Sequence, residues 1–357
     1  MSWALKCMFL AWSGRLLGKH DESGVNIPAR KKRKFHYTDT ELWRYNRHVF
    51  NNLTVMKIAF IGLGVMGNPM CVNLLASKNF DITVFDIDPE RAANLVASGA
   101  KLSASSTAAV RGCDLVMTSL PGPKQIQSAA LGDHGFVSVM TEGATWIDLS
   151  TNNLDVCEQI TRYCNERGIK FLDCPVSGGD EGAAAGSLTI LAGGERALFE
   201  RWLSVLKVLG ESVQLVGPNG AGYSAKIAQV VLCYLHSLAL SEALMLGIGG
   251  GVDPAQMLAI IQGSTGSSYV ANRYGPPILN GDYDPSFTVG LAHKDMGLAQ
   301  EMAKNLGITL PMCDLTTATY ARAIDSYGFH ANHLKAVRLL EEDNQIFLRA
   351  GRDTGKL

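Results

Sequence analysis

Metal chemistry is the first thing this sequence fails to support. Its eight cysteines (Cys7, Cys71, Cys113, Cys157, Cys164, Cys174, Cys233 and Cys313) are scattered without a CxxC pair, and no histidine cluster accompanies them. Neither a metal site nor a disulfide framework follows from that spacing, and free thiols in a reducing compartment are expected. Charge of either sign is not in excess: a net charge of −1 gives no electrostatic case for nucleic acid or membrane partners. No apolar run approaches the roughly 20 residues that a membrane span needs, so no membrane partner is expected.

The near-neutral total hides an imbalance. Residues 1–55 carry ten Lys+Arg against four Asp+Glu, a local charge of +6, which leaves −7 on the remainder. Within this stretch, Trp3 to Trp12 is a short apolar run broken by Lys6, too interrupted for a signal-peptide core. Arg30-Lys-Lys-Arg-Lys34 resembles a nuclear localisation patch, though such clusters are commonly solvated charge. A mitochondrial transit peptide is basic and poor in acids, and Asp21, Glu22, Asp39 and Glu41 count against one. A cytoplasmic location is therefore expected, with the mitochondrial matrix as the alternative. Residues 1–55 read as an extension outside the fold, and Met56 stands directly before the first strand signal. The working protein is expected to begin at or near Met56.

At 357 residues the chain has room for about two domains. From Lys57 strand and helix signals alternate. Strands read at 57–62, 81–86, 114–120 and 144–149, with helical stretches at 65–77, 88–98 and 105–112. Further strand signals lie at 170–173, 187–192 and 213–216. That alternation predicts an α/β Rossmann-type fold with a doubly wound parallel sheet over 56–220. After Gly220 strands stop. A long apolar pattern without proline runs from Tyr223 to about Gly247, and helical segments follow at 253–261, 290–306, 309–325 and 331–344. An all-α C-terminal domain is expected over 221–345 and a tail over 346–357, of which Arg349 to Leu357, charged and glycine-bearing, is expected to be disordered. The long helix is the kind of element that also forms a subunit interface, so a homodimer or homotetramer is expected.

The stretch that organises the chain is Lys57-Ile-Ala-Phe-Ile-Gly-Leu-Gly-Val-Met-Gly67. Gly62 permits a tight turn, Gly64 lets backbone N–H groups approach a pyrophosphate, and Gly67 lets the following helix pack against the strand. Leu63, Val65 and Met66 complete the loop, and the phosphate would sit at the positive end of the helix dipole. A second strand, Asp81-Ile-Thr-Val-Phe-Asp86, ends in an acid about twenty residues on, where a carboxylate accepts from a ribose 2′-OH. Asp86 also repels a 2′-phosphate. NAD is therefore the expected cofactor, while Arg91, close by in sequence, keeps NADP open.

Four later motifs follow in order: Asp148-Leu-Ser-Thr151, Asp173-Cys-Pro-Val-Ser-Gly-Gly-Asp180, Gly220-Ala-Gly-Tyr-Ser-Ala-Lys226 and Phe287-Thr-Val-Gly-Leu-Ala-His-Lys-Asp295. With the glycine fingerprint, this order resembles the β-hydroxyacid dehydrogenase family, the group containing 3-hydroxyisobutyrate dehydrogenase and tartronate semialdehyde reductase. The resemblance covers about 57–345. It implies an NAD-dependent oxidoreductase that interconverts a small 3-hydroxy acid and its semialdehyde or keto form. It assigns Lys226 as general acid/base, a role that a helix start and an apolar surround favour by lowering a lysine pKa. It assigns Ser177, Gly178 and Gly179 as a cradle for the substrate carboxylate. Thr151, with Ser150 beside it, and Leu120-Pro121 would lie along the cofactor, and Lys294 would reach back to it, with Asp295 capping or bracing that helix start.

The chain departs from the family at one position. Many members carry Asn four residues after the catalytic lysine; here Val230 stands there, and Gln229 one residue before it. Both positions neighbour Lys226 on a helix. Either Gln229 supplies the amide or the pocket has become more apolar. Four rivals are weighed. An NADPH-dependent semialdehyde or glyoxylate reductase is opposed by Asp86. A non-catalytic dehydrogenase-like oligomerisation module, its basic arm on nucleic acid, is opposed by the intact Lys226 and Ser177–Gly179. Imine reductases share the expected fold but usually lack the lysine. A 6-phosphogluconate dehydrogenase would need a longer helical domain and an arginine cluster for phosphate.

Overall fold

The computed structural model describes residues 55–132 and 134–349. Expectations for the extension, for the basic cluster at 30–34 and for the tail beyond 349 lie outside the described residues. Val55 onward forms one compact unit.

Period-two burial builds its core. Strand β1 (Met56–Ile61) is central and buried on both faces, which is why it reads as a continuous apolar run rather than an alternation. Ile58 and Phe60 join one apolar layer with Met70, Leu74 and Trp202. Ala59 and Ile61 join the opposite layer with Val116, Trp146 and Ile160. The next strands repeat the division, Met117, Ile147 and Leu172 facing the first layer and Trp146 and Phe171 the second. β2 (Phe80–Phe85), β3 (Lys101–Leu102), β4 (Leu115–Thr118), β5 (Thr145–Asp148) and β6 (Lys170–Asp173) follow in the chain, with helix α1 (Gly67–Ala76) after β1. Their order in the sheet is β3-β2-β1-β4-β5-β6, all parallel. The order reverses between β1 and β4. There the carboxyl ends of the strands open a crevice, the usual ligand site of such sheets.

The sheet departs from the all-parallel expectation at its far edge. β7 (Val176–Ser177) and β8 (Thr189–Gly193) pair antiparallel, β8 meets β6 antiparallel, and β9 (Ser212–Gly217) runs parallel to β8. Only residues 178–188, eleven of them, join β7 to β8. A parallel crossover needs about a dozen or more. Short segments explain the other misses: the helix at Gly179–Ala185 and the pair at Tyr269–Arg273 and Gly275–Asn280 are too brief to show a helical period.

The helical region hangs on one element, the long helix Ala221–Gly249, called here the axial helix. Its first half packs Ile227, Val230, Tyr234 and Leu238 against Val289, Met296 and Tyr320. Its second half packs Leu240, Leu244 and Ile248 against Leu258, Val270 and Leu334. Contrary to the sequence expectation, this helix is long and apolar enough to cross a membrane by length and composition. Its apolar content serves these two clusters, which need residues on several faces at once. Helices at Val289–Leu306, Pro311–Tyr327 and Lys335–Asn344 surround it.

Two buried polar groups lie within this region. His333 Nδ1 lies 3.4 Å from Asp284 Oδ2, both buried, with the imidazole edge-on to Tyr274. Glu341, fully buried, accepts from Arg349 Nη1 at 2.9 Å, from Leu348 N at 3.0 Å and from the Tyr283 hydroxyl. Leu348, which is fully buried, and Arg349 are anchored by these contacts. A buried carboxylate needs those donors more than the chain end needs freedom.

Candidate active site

The fingerprint loop has the geometry that a pyrophosphate requires. Gly62, at φ +92°, donates its N–H to Phe85 O at 2.9 Å, and a Cβ there would stand 2.2 Å from Ser119 O. Gly67 lies so close to the turn that a Cβ would come within 1.9 Å of Gly62 O. Gly64 is different: a Cβ would meet only Arg91 Nη1, at 3.7 Å. The space before Gly64 is open, and no side chain caps the start of α1. Its N–H groups face the place where a phosphate binds at a helix start. These residues fit a dinucleotide.

Asp86 is buried beneath the loop. Its Oδ2 accepts from Leu63 N at 2.6 Å and its Oδ1 from Asp88 N at 2.9 Å. A carboxylate offers about four acceptor positions, so it braces the turn with capacity left for a ribose hydroxyl. Arg91 Nη1 stands 4.0 Å from Asp86 Oδ1, and its Nε lies 3.2 Å from Asp88 Oδ2. The arginine therefore reaches the rim of this site.

Further along the crevice, Leu120 N donates to Ser150 Oγ at 2.9 Å, joining the loops that follow β4 and β5. Thr151 is the next residue, half-buried. Lys294 Nζ donates to Pro121 O at 3.1 Å and lies 2.9 Å from Asp295 Oδ1. The structure thus brings Leu120, Pro121, Ser150, Thr151 and Lys294 together. Asp295 does not cap its helix, as Thr288 does that by accepting from Leu291 N. Asp295 is buried one and a half turns in and accepts from the Tyr234 hydroxyl at 2.9 Å, bracing the axial helix instead.

Lys226 lies in the second turn of that helix, half-buried. Burial pushes its pKa below the ordinary lysine range; Asp295 and Cys233 pull it back up, and Lys294 lowers it further. Gln229, one turn on and exposed, places Nε2 3.4 Å from Ser177 Oγ. Val230 turns away into the apolar cluster with Tyr234 and Tyr320. Beyond Ser177 the backbone takes φ +133° at Gly178 and +66° at Gly179. The adjoining cleft, about 390 Å³, is lined by Asp180, Glu181, Arg273 and Asp282, with Arg273 Nη2 on Glu181 Oε1 at 2.7 Å. Among the described residues no group of three or more His, Cys, Asp or Glu side chains stands close enough to hold a metal, and the seven cysteines there are free.

Three side chains with extensive contacts here are not marked out by the sequence: Asp148, Asp173 and Tyr223. Each lies inside a motif, yet their partners are distant in the chain, so spacing carried no signal. Asp173 caps the axial helix from β6, accepting from Gly220 N at 2.9 Å and Tyr223 N at 3.2 Å.

Comparison with known proteins agrees with this layout. Residues 57–217 match the NAD-binding domain of 6-phosphogluconate dehydrogenase, and residues 220–340 match a domain described as the NAD-binding region of NADP-dependent 3-hydroxyisobutyrate dehydrogenase. The chain is 36% identical to 2-(hydroxymethyl)glutarate dehydrogenase of Eubacterium barkeri, over 74% of this chain and 88% of the relative. It is 32% identical to 2-hydroxy-3-oxopropionate reductase of Escherichia coli (strain K12), over 80% and 97% respectively. Among solved structures it superposes on Mycobacterium tuberculosis 3-hydroxyisobutyrate dehydrogenase with L-serine at a TM-score of 0.73 and 27% identity, covering 80% of this chain and 99% of the other. A dinucleotide fold, a helical region and relatives of these kinds converge on one conclusion: this chain belongs to the β-hydroxyacid dehydrogenase family of NAD(P)-dependent oxidoreductases.

Proposed function

We propose that the protein interconverts a small 3-hydroxy acid and its semialdehyde or keto form, with NAD as the preferred cofactor and Lys226 as general acid/base. The observation that carries this reading is the contact of Gln229 with Ser177 one turn beyond Lys226 on the axial helix, where burial lowers the lysine pKa. The nicotinamide, when bound, supplies the hydride acceptor or donor. Neutral Lys226 takes the substrate hydroxyl proton on Nζ in oxidation, and its ammonium returns a proton to the carbonyl oxygen in reduction. Ser177 and the two glycine N–H groups hold the substrate carboxylate, as backbone nests hold anions. The contact to Ser177 supports Gln229 as the amide donor in place of the family's Asn. Lys294, bridging to Pro121, supports closure over the cofactor.

A substrate panel with NAD and NADP in parallel tests this. 3-Hydroxyisobutyrate, 3-hydroxypropionate, glycerate, L-serine and 2-(hydroxymethyl)glutarate form its core. NADH formation with at least one of them is the expected result; NAD binding without turnover on any sinks the reading. Lys226→Met is expected to keep cofactor affinity and lose roughly 10²–10⁴-fold in turnover. In the wild type, oxidation rises with pH through an inflection below the ordinary lysine range, because the base is active only when neutral.

A second reading, an NADP-dependent reductase, draws on Arg91 at the rim of the ribose site. Faster turnover with NADP, abolished by Arg91→Ala, would select it. Leu232 and Leu246, 51% and 81% exposed on the axial helix, support the homo-oligomer; sedimentation of the pure protein as a monomer would remove it.

A further inference from the structure

Two buried carboxylates stand side by side where β5 and β6 end, and neither takes part in the chemistry above. Asp148 and Asp173 are register partners, both without solvent exposure. Asp148 Oδ1 accepts from Thr118 Oγ1 at 2.6 Å and from Ser150 Oγ at 2.5 Å, and its Oδ2 accepts from the Tyr223 hydroxyl at 2.6 Å. Trp146 Nε1 donates to Thr118 Oγ1 at 2.9 Å, which leaves the threonine proton for Asp148. In the same way Ser150 Oγ accepts from Leu120 N and spends its proton on Asp148. Asp173 is fixed more tightly still. A Cβ at Gly193 would stand 2.5 Å from its Oδ2, and one at Gly222 2.8 Å from the same atom.

Burying two carboxylates is costly, and apolar packing is often the more stable solution. What they hold gives the reason. Tyr223 precedes Lys226 by three residues, so the two share a helix face. Leu120 and Ser150 belong to the loops on the cofactor side. Tyr223 is bound at both ends: its hydroxyl to Asp148, its N–H to Asp173. We propose that Asp148 and Asp173 are positioning residues that lock the start of the axial helix, and with it Lys226, in register with the Leu120–Pro121 and Ser150–Thr151 loops. Proton and hydride transfer occur at neighbouring atoms, and a misplacement of about 1 Å costs on the order of 10² in rate. One hydrogen-bonded unit spanning both loops and the helix removes that freedom. The inference rests on Lys226 being the proton-transfer group.

Tyr223→Phe removes one hydroxyl and keeps the ring. Its expected effect is a loss of about 10–100-fold in kcat, with cofactor KM changed less than about twofold. In the cofactor-free protein, amide exchange over Gly220–Lys226 quickens by roughly tenfold or more while that of Leu120 stays unchanged. Ser150→Ala releases the same carboxylate on its other side and gives the complementary result, weaker cofactor binding and faster exchange at Leu120. Normal turnover in Tyr223→Phe overturns the proposal, whatever the exchange shows. So does a loss of turnover that merely follows a lower folded fraction by near-ultraviolet circular dichroism. Lys226→Met in the same assays separates the two claims. If it turns over normally, the assignment of Lys226 falls and its positioning with it. If it is inactive while Tyr223→Phe is normal, only the positioning role is lost.

Discussion

A single methyl group separates two outcomes in the glycine loop. At Gly62 the positive φ and the carbonyl 2.2 Å from any Cβ leave no room, so Gly62→Ala is expected to destabilise the fold by several kcal/mol, on the order of an overpacked core site or more. At Gly64 the methyl points into open space. Gly64→Ala should fold with an unchanged Tm yet bind NAD about tenfold more weakly or worse, since the backbone can no longer approach the pyrophosphate. Thermal melts with and without NAD distinguish the pair. Titration offers a second contrast between residues. Burial pushes the Asp173 carboxyl from 3.8 up to about 6. The folded protein therefore keeps a proton that the unfolded chain has released, so this group's stabilisation is full below about pH 4 and lost as pH rises through about 6. Burial moves His333 the other way, from 6.5 to about 4. Its stabilisation is present above about pH 6.5 and is lost as pH falls through about 4. Accordingly, the Tm of wild type minus that of Asp173→Asn grows on acidification from about pH 7 to 4, while wild type minus His333→Gln shrinks.

Elements were legible where they were long. The strands β1, β2, β5 and β6, and the helices after Gly220, carried enough residues for apolar period to place their ends within a few positions. β7 and the short helices carried too few, and the antiparallel edge was hidden because pairing direction depends on linker length and not on strand composition. The axial helix shows the remaining limit. Hydropathy alone describes it as membrane-like, whereas packing shows an element whose many apolar faces are claimed by two clusters. Face assignment separates two neighbouring side chains on it. With Val230 in the core, Gln229 is the side chain presented to Ser177. Gln229→Ala is expected to raise the KM for the hydroxy acid about tenfold, the loss of a hydrogen bond to a charged group, with kcat nearly unchanged. Initial-rate kinetics at saturating NAD read this, and a fall in kcat alone would exclude Gln229 from substrate binding.

Across the whole molecule the site is built from contacts that no local reading reaches. Lys294 meets Pro121 across 173 residues, Asn153 meets Glu301 across 148, and Tyr223 meets Asp148 across 75. The motifs announced which residue types were present; the topological switch between β1 and β4 and the course of the axial helix brought them together. Long-range pairing also governs the chain's last described residues. Glu341 sits fully buried on Arg349 and the Leu348 N–H. Removing everything after Gln345 takes away that carboxylate's closest cation and leaves it Arg338 Nη1 at 3.7 Å, so the expected cost lies at or below the roughly 3–5 kcal/mol of an uncompensated buried charge. A truncation series ending at 345, 349 and 353, followed by urea unfolding, should show one large step, between the first two. For anyone handling the protein, that anchor sets a practical boundary: a purification tag fused directly after Gln345 is expected to give an unstable preparation, whereas one joined after the full chain keeps the partners of Glu341 in place.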